Sequence, residues 1–88
     1  MTMSNNVIIY TNDNCPYCVM AKRTFERLNV LYTEKKVGAD VTREELLEAV
    51  PGARTVPQII INSEVIGGYA ELASYIENTG FNGTGYTL

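Results

Sequence analysis

The chain contains no histidine and only two cysteines among its 88 residues. Without imidazole there is no Cys-His nucleophilic pair, no usual zinc-finger ligand set and no histidine for acid-base work. Two cysteines are too few for the disulfide framework of a small secreted domain, which uses roughly four or more. Basic charge is scarce as well: seven Lys and Arg against ten Asp and Glu leave a net charge of −3. That balance argues against nucleic acid or an anionic membrane as a partner. Long hydrophobic runs are missing, since Val7-Ile8-Ile9-Tyr10 and Ile59-Ile60-Ile61 fall far short of the ~20 residues of a membrane span. Met1 to Asn6 has neither the basic start nor the apolar stretch of a secretory signal, so the cytosol is the expected address. Repeats and linkers are absent too, and the length suits one domain over residues 1–88 with a single core. Nothing in so small an acidic chain calls for a dimer, and a monomer is expected.

What is present reads as a folded domain. Hydrophobic residues make up 45% and charged residues 19%, a globular balance. Val7 to Thr11 is short, β-branched and aromatic, and is followed by the turn-formers Asn12-Asp13-Asn14, which predicts a buried strand. From Pro16 to Leu28 the residues Cys18, Ala21, Phe25 and Leu28 recur three or four apart, the mark of an amphipathic helix. Val30 to Val37 reads as a second strand. Thr42-Arg43-Glu44-Glu45 matches a capping box and opens a helix to about Val50, stopped by Pro51-Gly52. Gln58 to Asn62 and Glu64 to Ile66 predict a hairpin, and Ala70 to Asn78 a last helix with Leu72, Ala73 and Ile76 inward. Residues 79–88, with three glycines and no periodicity, read as a fraying tail. The order β-α-β-α-β-β-α predicts an α/β fold. Its first two strands are parallel across a right-handed crossover, giving a four-stranded mixed sheet flanked by three helices.

The two cysteines are three apart, Cys15 and Cys18, and residues three apart on a helix share a face. They can therefore reach the ~4.4 to 6.8 Å Cα separation of a disulfide and cycle between dithiol and disulfide. Cys15 stands at the helix start, where unpaired N–H groups and the dipole favour an anion, while Cys18 lies one turn inside. Cys15 is thus the expected nucleophilic thiolate, and Cys18 the residue that resolves its mixed disulfide. Pro16 suits the first helical turn, where no N–H is needed. Zinc would require about four ligands, which two thiols could supply only by sharing a site between two chains, so no metal is expected. A pair packed inertly in a helix, or closed into an inert bridge, is the alternative that the spacing alone leaves open.

Three segments together resemble the dithiol glutaredoxins: Cys15-Pro16-Tyr17-Cys18-Val19-Met20-Ala21-Lys22, then Thr55-Val56-Pro57-Gln58-Ile59, then Gly67-Gly68-Tyr69. The resemblance implies a thioredoxin-like fold and a cis Val56-Pro57 bond beside the active site. It also implies a glutathione-dependent reduction of protein disulfides and glutathione mixed disulfides. Glutathione serves as co-substrate, clients carry disulfides, and ribonucleotide reductase is one partner the family suggests. Tyr17, Thr55, Val56 and Pro57 are implied as contacts for the glutathione moiety, and Gly68, Tyr69, Ala70 and Glu71 for its γ-glutamyl end. Family potentials of about −200 to −230 mV lie close to the cytosolic glutathione poise.

Two positions depart from the family pattern. Ala70 stands where relatives often place Thr or Asp, and so offers no side-chain hydrogen bond. Asn12, followed by Asp13, stands where many relatives carry Lys or Arg three residues before the nucleophile. A favourable cation is replaced by a nearby anion, which predicts a higher Cys15 pKa than in those relatives. Arg54 is the expected partner for a ligand carboxylate, whereas Lys22, nearly two turns beyond Cys15, reads as an ordinary solvated cation. These departures leave open a redoxin recharged by thioredoxin reductase. From another class, the resemblance also permits a carrier in which two chains and two glutathiones hold an iron-sulfur cluster.

Overall fold

A short continuous apolar run builds the centre of the molecule. In a computed structural model, which describes residues 6–80, β1 spans Val7–Thr11 and is almost wholly buried. It runs parallel to β2, Thr33–Lys36, on one side and antiparallel to β3, Gln58–Ile61, on the other. β4, Glu64–Gly67, completes the sheet in the order β2-β1-β3-β4. The crossover between the parallel strands β1 and β2 contains α1, Pro16–Arg27. The remaining helices are α2, Arg43–Ala49, and α3, Tyr69–Thr79. This is the thioredoxin-like, four-stranded mixed sheet with three helices. No described helix is long and apolar enough to cross a membrane.

Strand alternation divides the core in two. Val7, Ile9, Ile59 and Ile61 point to the side covered by Ala21 and Phe25 of α1 and Leu72 of α3. Tyr10, with the partly buried Ile8 and Ile60, faces the opposite side and packs on Leu46 and Val50 around α2. Both faces of the central strands are therefore dry, which is why they read as continuous apolar runs.

Local chemistry sets the connections. Asn62 and Ser63 both take positive φ, 51° and 70°, as a two-residue hairpin of the primed type requires. Thr42 and Glu45 close the capping box: Thr42 Oγ1 accepts from the Glu45 N–H at 3.1 Å, and Glu45 Oε1 from the Thr42 N–H at 2.9 Å.

Three expectations are corrected. The second strand is shorter than Val30 to Val37, because Asn29 turns left-handed at φ 57° and Val30 N–H still donates to the Phe25 carbonyl at 2.9 Å. Val30 is buried from that loop, and Leu31 points outward. Ala73 is exposed instead of inward. The inner stripe of α3 runs through Tyr69, Leu72 and Ile76, and position 73 lies about 100° beyond Leu72. Finally, Thr79 is still helical and Gly80 caps α3 in the left-handed region at φ 67°, so residues 79 and 80 belong to α3 and its cap and not to the expected tail. Its residues 81–88 lie outside the described residues.

Candidate active site

The turn after β1 delivers Cys15 to the N-terminal end of α1. Asn14 takes φ 57°, and Cys15 itself is the extended N-cap. Its sulfur accepts the Cys18 backbone N–H at 3.2 Å, the role a capping oxygen usually fills. Pro16 follows in the first turn, where it sacrifices no hydrogen bond. Cys15 and Cys18 form a disulfide across a Cα separation of 5.2 Å. The two are unequal in access: Cys18 is 2% exposed, whereas Cys15 is only partly buried. An approaching sulfur reaches Cys15 first.

One flank of the disulfide is an open groove of about 380 Å³, lined by Tyr17, Thr55, Val56, Pro57 and the segment from Gly68 to Glu71. Three distant pieces of chain meet there. The Val56-Pro57 bond is cis and brings the Val56 carbonyl oxygen to 3.6 Å from the Cys15 sulfur. Gln58 Nε2 donates to the Thr55 carbonyl at 2.9 Å and secures the loop. Tyr17, 61% exposed, stacks with Tyr69, their centroids 6.2 Å apart and planes 29° inclined. Glu71 Oε1 accepts the Gly68 N–H at 2.8 Å, so one carboxylate oxygen is already engaged. Gly67 has φ 118°, and a Cβ there would stand 3.1 Å from Glu71 Cγ, which fixes glycine at this entry to α3.

Eight of the nine expected glutathione contacts thus lie on one groove. Arg54 does not line it; it lines an adjoining hollow of about 230 Å³ with Asn12 and Arg43, sharing Thr55 and Val56 with the groove.

The other flank is a cavity of about 490 Å³ that carries both cysteines and four charges. Lys22 Nζ pairs with Glu34 at 3.2 Å, and Thr11 Oγ1 donates to the same carboxylate at 2.6 Å. The Thr11 hydroxyl, and after it Lys22, hold the Glu34 carboxyl below its ordinary range despite partial burial. Lys36 Nζ pairs with Asp13 at 3.1 Å, and that carboxylate holds the ammonium above its ordinary range. Sequence reasoning left Thr11, Glu34 and Lys36 out of the site. The one available signal was that Glu34 and Lys36, two apart, share a strand face. Among the described residues, no group of three or more His, Cys, Asp or Glu side chains is placed to hold a metal ion.

The glutaredoxin family model matches residues 7–66. Glutaredoxin 1 of Rickettsia prowazekii (strain Madrid E) is 39% identical over 71 residues, covering 77% of this chain and 74% of that protein. Mouse (Mus musculus) "Glutaredoxin-2, mitochondrial" is 41% identical over 76 residues, covering 80% of this chain and 47% of the mouse protein. The chain thus spans about half the length of such mammalian relatives. The crystal structure of a buckwheat glutaredoxin-glutathione complex superposes with a TM-score of 0.72 at 26% identity, over 84% of this chain and 70% of that one.

Proposed function

The chain belongs to the glutaredoxin family, a thiol-disulfide oxidoreductase by that membership, and from this premise we propose that its reductant is glutathione and that it acts on protein disulfides and glutathione mixed disulfides. The observation that carries the reading is the Tyr17–Pro57–Tyr69 groove beside the partly exposed Cys15 sulfur. A short peptide laid along it meets the Val56 backbone as an added strand. The aromatic pair and Pro57 supply apolar contact, and the start of α3 receives the peptide's charged end. The buckwheat relative holds glutathione.

In the proposed cycle the Cys15 thiolate attacks one sulfur of a client disulfide. A Cys15–client bond forms, and the displaced client sulfur leaves as a thiolate that takes a proton. Cys18, as thiolate, then attacks the Cys15 sulfur. The internal disulfide closes and the second client thiol departs, so the client gains two electrons and two protons. Glutathione thiolate next attacks Cys15, forming a mixed disulfide in the groove and freeing Cys18. A second glutathione takes the first away as oxidised glutathione. With a glutathione mixed disulfide as substrate, Cys15 alone suffices, because the glutathionyl sulfur is transferred to it directly.

The experiment is reduction of a small glutathione mixed disulfide by the full chain, supplied with either glutathione or thioredoxin reductase and NADPH. Turnover with glutathione is expected. Turnover only with the reductase overturns the proposal.

A further inference from the structure

The cation expected before the nucleophile is missing, since Asn12 stands there, yet the cavity beside Cys15 is not without positive charge. Two lysines line it, and they are compensated unequally. Lys22 is bound by Glu34, whose carboxylate is 29% exposed and also takes the Thr11 hydroxyl. That anion is enclosed as fully as Lys22, which is 27% exposed, so the two charges are screened alike and largely cancel. Lys36 is 39% exposed, but its partner Asp13 is 81% exposed. An anion standing mostly in water is screened far more than a cation partly enclosed by protein. The cavity therefore feels Lys36 more than Asp13.

We propose that Lys36, a β2 residue, is the positioning cation that sustains the Cys15 thiolate in this chain, and that Asp13 tethers and tempers it. The tether has geometric support. Asp40 accepts the Lys36 backbone N–H at 2.9 Å, which fixes the end of β2, and Asp13 lies only two residues before Cys15. The charged groups around Cys15 are Asp13 from the turn, Lys22 from α1, and Glu34 and Lys36 from β2. Beyond the cavity stand Arg54 in the neighbouring hollow and Glu71 on the opposite groove. The neighbouring Lys35 cannot substitute, because its Nζ lies over the Tyr10 ring, 5.9 Å from the centroid.

This inference rests on Cys15 being the attacking thiolate, as in the proposed function, but its test needs no glutathione. In the reduced full chain, thiolate absorbance is followed against pH, alongside the pH dependence of iodoacetamide alkylation assigned to Cys15 by mass spectrometry. Lys36→Gln is expected to raise the Cys15 midpoint by about half a pH unit and Asp13→Asn to lower it by clearly less. Lys36→Arg should leave it in place. Lys35→Gln, which removes the same charge next door, should not move it, and the double change Lys22→Gln with Glu34→Gln, which removes the matched pair together, should move it less than Lys36→Gln. An unchanged midpoint in Lys36→Gln, an upward shift in Asp13→Asn, or an equal shift in Lys35→Gln overturns the assignment. Expected shifts in a protein that fails to turn over with glutathione would leave Lys36 in its role and sink the glutathione reading alone.

Discussion

The two flanks of the Cys15–Cys18 disulfide are built on different physics. The Tyr17 groove has aromatic faces, a cis peptide and backbone groups, with Glu71 its one ionisable carboxylate. The cavity opposite carries two ion pairs, Lys22–Glu34 and Lys36–Asp13. Shape and main-chain pairing suit recognition of a short peptide, whereas fixed charges suit control of a nearby thiolate. The disulfide sits where both act on one sulfur. Binding and reactivity should therefore be separable by mutation, groove variants changing one and cavity variants the other.

The largest expected effect tests whether the two sulfurs are as unequal as their burial. Cys15→Ser should cut turnover of every disulfide substrate by at least about a hundredfold, since a serine hydroxyl carries no thiolate. Cys18→Ser should lose reduction of protein disulfides through the internal bridge, yet keep reduction of glutathione mixed disulfides. Steady-state assays on both substrate classes check this. Equal loss in both variants would break the division into attacker and resolver.

Next in size is a substitution under α1, the helix that supplies Tyr17 to the groove and Lys22 to the cavity. Phe25 is fully buried between α1 and the sheet, so Phe25→Ala should destabilise the protein by about 3–5 kcal/mol in denaturant unfolding. A shared core predicts that both flanks loosen together. Retention of the Tyr17 groove's ligand affinity alongside a shifted Cys15 midpoint would show that the flanks rest on separate supports.

How far each flank was legible follows the same division. The groove is marked by residues the sequence singles out: Tyr17 between the cysteines, Val56-Pro57 ahead of a strand, Gly67-Gly68 at a helix entry. The resemblance in those segments covered what spacing could not, including the cis bond. Local rules also served elsewhere, as in the Asn62-Ser63 hairpin and the Thr42–Glu45 box. The charged flank depends on register. Glu34 and Lys36 reach the cysteines because β2 pairs with β1 at Ile9↔Glu34 and Thr11↔Lys36. Parallel strands joined by a helix carry no turn residue that sets this register. Ala73 was misplaced for a related reason: small residues satisfy an apolar pattern without revealing which side of the stripe they occupy.

A groove variant sharpens the comparison with a smaller effect. Tyr17→Ala removes the ring stacked on Tyr69, and aromatic contacts of this kind contribute about 0.5–1.5 kcal/mol beyond area burial. The expected outcome is a KM for the glutathione mixed disulfide raised roughly three- to tenfold. The Cys15 titration midpoint should not move. A shift in that midpoint equal to the one in Lys36→Gln would mean that the flanks are electrostatically one site.

The smallest effect lies in the better-held ion pair and appears as a pH dependence. Glu34 has its carboxyl lowered below the unfolded value, first by the Thr11 hydroxyl and then by Lys22. A group lowered on folding stabilises the protein above its unfolded pKa and loses that contribution as pH falls through the folded pKa. Glutamine at this position can still accept the Thr11 hydroxyl, so Glu34→Gln isolates the charge. The variant should be less stable than the parent near neutral pH, and the difference should vanish in acid, below the ordinary carboxylate range. Because the side chain is 29% exposed, the difference should stay below about 1 kcal/mol and shrink further in high salt. Denaturant unfolding of both proteins across acid to neutral pH measures it. A gap that is constant with pH would assign the role of Glu34 to packing, and would leave Lys22 without the partner that makes it the quieter of the two lysines.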